Sequence, residues 1–204
     1  MKKKNQHIIK AAQNFLKKKI GINVKSDPYL FINENSIIKA KSQYSFNSKQ
    51  KNILLGIGGS GDTKRIPSKT FIKLMKLVLE KYDCRFLLAT GTKKEEQIIL
   101  NEILNTELNS KCFSLDKLNL IEILPIIKNC DIAVCNDSSF SHLSSALGIQ
   151  TIVLMSDTPL LYGNYSPRMH PIIPDGEVSV KHDTLGKNKI NSYKIFEKFK
   201  EIIN

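Results

Sequence analysis

Four clusters in this 204-residue chain carry residue types and spacings that could do chemistry. The first is the run Gly56 to Gly61, followed by Asp62, Thr63, Lys64 and Arg65. Glycines let backbone N–H groups come close to an anion, and Ser60, Thr63, Lys64 and Arg65 can add donors. Gly56, Gly58 and Gly61 spell the G-x-G-x-x-G of a dinucleotide site, while Gly56 and Gly61 have the spacing of a P-loop. Neither motif is completed. Asp62-Thr63 stands where a P-loop needs Lys-Ser or Lys-Thr, Pro67 delays the helix, and the second strand ends without an acid. The second cluster is Gly91 to Glu96, where Glu95 or Glu96 could accept hydrogen bonds from ribose hydroxyls. The plainer alternative is a first-turn glutamate favoured by the helix dipole. The third runs from Asp137 through Ser138 and Ser139 to His142. Any of the first three can cap a helix. His142 falls in the first turn, where free N–H groups attract phosphate and a histidine can donate to an anion. The fourth is Ser156, Asp157 and Thr158. No metal site is expected: Asp137 and His142 have no third ligand nearby, and Cys84, Cys112, Cys130 and Cys135 form no C-x-x-C pair.

For these clusters to meet, they must lie beyond the carboxyl ends of parallel strands. Short apolar runs predict such strands at Ile53–Gly58, Arg85–Thr90, Lys111–Ser114, Ile132–Cys135 and Thr151–Met155. Helical spacing of apolar residues predicts helices at Ser68–Lys81, Lys93–Leu108 (with Ile98, Ile99, Ile103 and Leu104 inward), Asn119–Lys128, Ser141–Leu147 and Asn191–Ile203. The alternation implies an α/β fold with a Rossmann-like, doubly wound parallel sheet. Residues 51–190 form the expected binding domain and residues 191–204 a closing helix. Residues 1–50 form an extension with a basic amphipathic helix ending near Gly21 and a short helical segment at Asn35–Tyr44. Gly163–Gly186, with Pro167, Pro171 and Pro174, reads as irregular loops.

The formal charge of +12 suggests an anionic partner. The lysines are spread along the chain, however, and aromatic residues do not interleave with them as on a single-strand-binding surface. A nucleic-acid partner is therefore not expected. No apolar run approaches the ~18 residues of a membrane span. The basic N-terminus lacks the uninterrupted apolar core of a signal peptide. A cytoplasmic protein with reduced cysteines is expected, its basic helix either lying on an anionic membrane surface or packing on protein.

The same clusters carry a resemblance. Asp137-Ser138-Ser139-Phe140-Ser141-His142-Leu143, followed by Ala146-Leu147-Gly148, resembles the Asp-Ser/Thr-Gly-x-x-His-Leu and Ala-Leu-Gly segments of glycosyltransferase family 9, the heptosyltransferase-like enzymes of lipopolysaccharide assembly. Thr158 matches the threonine of that family's loop one strand later. Lys64-Arg65-Ile66-Pro67 matches its Lys-x-Trp-Pro, and Gly91 to Glu95 its Gly-x-x-x-Glu. Ser139 replaces the family glycine and Ile66 its tryptophan.

The resemblance implies the C-terminal, donor-binding half of a GT-B glycosyltransferase, in which two Rossmann-like domains face across a cleft. It implies that Ser60, Lys64, Ser138 and His142 serve the diphosphate of a nucleotide sugar resembling ADP-heptose. Glu95 would hold the ribose, and Asp137 and Thr158 would orient the loop. No cofactor beyond the donor is implied, and transfer would be inverting and independent of metal. The acceptor, a glycan or lipid-linked saccharide, and the general base would belong to an N-terminal domain outside these residues. The first and last helices would then have apolar faces awaiting that domain. A non-catalytic nucleotide-binding module of the same descent is the alternative.

Overall fold

The computed structural model describes residues 8–25 and 27–203. The basic start at Lys2 to Lys4 lies outside them. Helices α1 (Ile8–Ile20) and α2 (Glu34–Gln43) precede an alternating series: β1 (Lys51–Gly56), α3 (Ser68–Leu79), β2 (Cys84–Ala89), α4 (Lys94–Leu104), β3 (Cys112–Ser114), α5 (Leu120–Lys128), β4 (Ile132–Asn136), α6 (Ser139–Ala146), β5 (Thr151–Leu154), β6 (Met169–Ile172) and α7 (Ser192–Ile203). The strands pair in the order β3-β2-β1-β4-β5-β6, and every pairing is parallel. The chain winds outward in one direction from β1 and returns on the other side through β4. This places the topological switch point between β1 and β4, where doubly wound sheets bind ligands. The expected α/β fold is the one observed.

Alternation along each strand divides the core. Ile53 and Leu55 of β1 face α3, α4 and α7, meeting Phe71, Met75, Ile103 and Phe199. Leu54 faces the other way, toward Ile123, Ile126 and Ile127 of α5. Both faces are covered, so the strands read as continuous apolar runs. The capping chemistry is local: Asn119 accepts from the N–H of Glu122, whose carboxylate accepts from the N–H of Asn119. Gly148 ends α6 at φ +89°, a left-handed position that suits glycine. Cys84, Cys130 and Cys135 are buried free thiols and Cys112 is half-buried. Burial pushes the Cys84 thiol up to about 12, so it behaves as a small hydrophobe.

Three expectations are corrected. Gly163–Gly186 is not wholly irregular, because it contains β6, which pairs with β5 from Thr151↔Met169 to Leu154↔Ile172. His170 and Pro171 hide this strand from a hydrophobicity reading, and an edge strand tolerates the proline. In α4 the inward stripe is Glu96, Ile99, Leu100 and Ile103, one step round from the stripe read in the sequence, and Ile98 is exposed.

The final helix has no apolar face awaiting a partner. Ile195, Phe196 and Phe199 of α7 are buried in the same core as α3. Helix α1 differs: none of its residues is buried, and Ile8, Phe15 and Ile20 are exposed. The segment after it is tied down. Asp27 pairs with Arg168 at 2.7 Å, the N–H of Leu30 donates to Ala146, and Asn129 donates to the carbonyl of Ile37 at 3.0 Å.

Candidate functional site

The site lies across the carboxyl ends of β1 and β4. After Gly56 the chain runs through Gly58-Gly59-Ser60-Gly61 into a 3-10 turn, Asp62–Lys64, and α3 begins after Pro67. Hydrogen bonds hold this loop from several sides. Asn136, at the end of β4, donates from Nδ2 to the carbonyls of Ile57 (2.8 Å) and Gly58 (3.2 Å). Ser156, after β5, donates to the carbonyl of Thr63 at 2.8 Å. Arg65 reaches back to the carbonyl of Gly59 at 3.1 Å. Lys187 donates to the carboxylate of Asp62 at 2.6 Å and to its carbonyl at 3.1 Å, which holds that carboxyl below its ordinary range.

The buried Glu96 braces the loop from α4: Oε1 accepts the N–H of Gly59 at 2.8 Å. The glycines on either side are required by this close approach. A Cβ on Gly58 would lie 2.6 Å from Glu96 Oε1, and one on Gly91 would be closer still to Oε2. Glu95, one residue earlier, is exposed on the outer side of α4. Helical spacing could have separated the two glutamates, because Glu96 shares the face of Ile99, Leu100 and Ile103.

The opposite wall is the turn from β4 into α6. Asp137 is buried and pairs with Lys64 at 3.0 Å, so a lysine of the first loop meets a carboxylate of the second. The same carboxylate oxygen accepts a short hydrogen bond from Thr158. His142 sits one turn into α6, with Nε2 4.0 Å from Asp137 Oδ1 and Nδ1 2.6 Å from the hydroxyl of Tyr165. Burial is the main cause that lowers its pKa below the ordinary 6.5; Asp137 opposes the shift and Lys64 adds to it. The burial favours the neutral ring.

Ser138 occupies the N-cap of α6, yet its side chain makes no capping bond. Its buried hydroxyl has no partner within the protein. The first N–H groups of a helix lack intrahelical acceptors. These donors border a cavity of about 410 Å³ whose lining includes Gly58, Gly59, Ser60, Glu96, Ser138 and Ser139. Ser139 enters the helix without a positive φ, so the residue replacing the family glycine sits in ordinary backbone. Ile66, replacing the tryptophan, is fully buried in the core. Thus Ser60 and Ser138 line the cavity, while Lys64, His142, Asp137 and Thr158 form one contact cluster beside it. Among the described residues, no group of three or more His, Cys, Asp or Glu could hold a metal ion. The sequence reading missed Asn136, Lys187 and Tyr165, whose partners are distant in the chain.

Fold and site together define a Rossmann-like domain with a polar, glycine- and serine-lined pocket at its switch point. The chain belongs to glycosyltransferase family 9, the heptosyltransferases, whose family model matches residues 1–187. Lipopolysaccharide heptosyltransferase 1 of Campylobacter coli is 26% identical over 72% of this chain and 43% of its own length. Lipooligosaccharide heptosyltransferase 2 of Haemophilus influenzae is 30% identical over 56% of this chain and 32% of its own. The chain therefore spans less than half the length of these curated relatives. Among solved structures, E. coli heptosyltransferase WaaC with ADP superposes with a TM-score of 0.72 at 16% identity, covering 97% of this chain and 57% of that one.

Proposed function

We infer that this chain is the donor-binding part of a heptosyltransferase-like enzyme and receives the diphosphate of a nucleotide sugar. The observation that carries the reading is the convergence of Lys64 and His142 on Asp137, next to the unpartnered hydroxyl of Ser138 and the N-terminus of α6. Each supplies a donor or positive potential where a leaving diphosphate gains charge, and donors fixed before reaction need no reorganisation. In this reading Lys64 and His142 contact the diphosphate, Ser60 and Ser138 support it, and Asp137 and Thr158 hold the turn. The ribose is assigned to the start of α4, where Glu96 lines the cavity and Glu95, the residue that the resemblance implies, is exposed outside that lining. Charge stabilisation by these groups makes transfer independent of added metal.

The donor resembles ADP-heptose, as the WaaC complex with ADP suggests by likeness. The acceptor is a saccharide on a lipid or glycan, received by a separate domain that carries the general base. Among the described residues no helix is long and apolar enough to cross a membrane. Contact with an anionic membrane is assigned to the exposed apolar and basic faces of α1, on the inner side of the cytoplasmic membrane. Calorimetry with ADP, UDP and GDP tests the donor site. Binding of one of them, weakened by His142→Ala, is the expected result; no binding of any would sink the reading.

A further inference from the structure

We propose that Tyr165 is a positioning residue: by donating its hydroxyl proton to Nδ1 of His142, it holds the imidazole in the tautomer that carries its proton on Nε2, the nitrogen turned toward Asp137. The proposal rests on the reading that His142 serves the donor's diphosphate.

The geometry narrows the choice. Tyr165 lies in the loop before β6, and its ring packs against the buried cluster of Val153, Met155 and Met169, so its position is set by the core. Its hydroxyl is 2.6 Å from Nδ1 of His142, and the two rings lie within 18° of parallel. A neutral imidazole has one N–H, and the hydrogen bond made by one nitrogen decides the state of the other.

Two arrangements are possible. If Nδ1 carried the proton, Nε2 would present a lone pair to Asp137 Oδ1, 4.0 Å away, and two acceptors would face each other. If Tyr165 donates to Nδ1, Nε2 carries the proton and turns an N–H toward that carboxylate. The second arrangement is the favourable one.

The groups around the ring agree. Asp137 comes from the β4–α6 turn, Lys64 from the 3-10 turn and Tyr165 from the loop before β6. Lys64 pairs with Oδ2 of Asp137, which leaves Oδ1 as the carboxylate oxygen that faces Nε2. Burial raises the Tyr165 pKa, keeping its proton available to donate. His142 then offers a hydrogen bond to a phosphoryl oxygen without first being protonated, so its donor role persists above the pH at which an imidazolium would be lost.

The test is long-range proton–nitrogen NMR on the ¹⁵N-labelled chain, with His142→Gln assigning the ring signals. The expected wild-type pattern is a protonated Nε2 and a hydrogen-bonded, unprotonated Nδ1. In Tyr165→Phe the Nδ1 signal should move toward that of an unbonded ring nitrogen. The affinity for ADP should fall about fivefold, the equivalent of one neutral hydrogen bond. A proton on Nδ1 in the wild type would overturn the proposal, and so would an Nδ1 signal unmoved by Tyr165→Phe. The wild-type spectrum suffices if the variant fails to fold. Absence of ADP binding to the wild type, with the nitrogen pattern as expected, would instead overturn the donor-site reading and leave the tautomer standing.

Discussion

The two walls of the pocket are built on different principles. The glycine loop after β1 is tied in place from outside, by Asn136, Ser156, Glu96 and Lys187. The β4–α6 turn continues a buried central strand into a helix whose first turn supplies the donors. The backbone of the first wall is held by tethers distant in sequence; the backbone of the second follows from its own strand and helix, with distant partners such as Thr158 and Tyr165 reaching only its side chains. Local chemistry can therefore be altered on the second wall with local effect, whereas the first should respond to changes far from it.

The largest expected effect comes from the residue that joins the walls. Lys64→Ala removes a charge-assisted donor, an interaction worth about 1.5–3 kcal/mol, so nucleotide affinity should fall about 10- to 100-fold by calorimetry. A loss no greater than that of an exposed lysine would break the idea that Lys64 spans the site.

Next is the tether from β4. Asn136→Ala leaves the carbonyls of Ile57 and Gly58 without their side-chain donor. It should cost about 1–3 kcal/mol in urea unfolding while affecting the glycine loop more than α6, as hydrogen exchange would show. Equal loss of protection on both walls would remove the distinction.

Lys187→Ala is expected to be milder. Its partner Asp62 is 74% exposed, and exposed pairs contribute about 0–1 kcal/mol. A change in nucleotide affinity of at most a few-fold, with little change in stability, would sharpen the comparison by ranking buried tethers above exposed ones.

The smallest effect is in pH dependence. His142 has a folded pKa lowered below 6.5, so the unfolded chain binds this proton more readily. Its contribution to stability is complete above about 6.5 and is lost as pH falls below that value toward the folded pKa. His142→Gln should remove this part of the slope. His170, also lowered, remains in both proteins and cancels in the difference curve.

The same contrast explains what the sequence made legible. The β4–α6 wall could be read because its signals are contiguous: an apolar run, Asp137-Ser138, then a helix with His142 in its first turn. Ser60 and Lys64 were readable for the same reason. The tethers were not, because Asn136 and Ile57 are 79 residues apart and Lys187 and Asp62 are 125 apart. Nothing local marks such partners. In α4, choosing between Glu95 and Glu96 required the helical phase, and an error of one residue exchanges a cavity-lining side chain for a solvated one. The strand β6 was hidden by Pro171. The last helix was misjudged because amphipathicity reveals that a face will be covered without revealing by what.

Strand order also has a consequence during synthesis. β1 can pair with β2 soon after both emerge from the ribosome, since Ile53↔Phe86 spans 33 residues, but the seam with β4 must wait for Ile132, 79 residues after its partner Ile53. Pairings so distant in the chain form late and slowly. The pocket straddles that seam, so it comes into being only when the longest closure in the sheet is made. A nucleotide that binds there would act as a latch on the finished fold, favouring the closed seam in proportion to its occupancy.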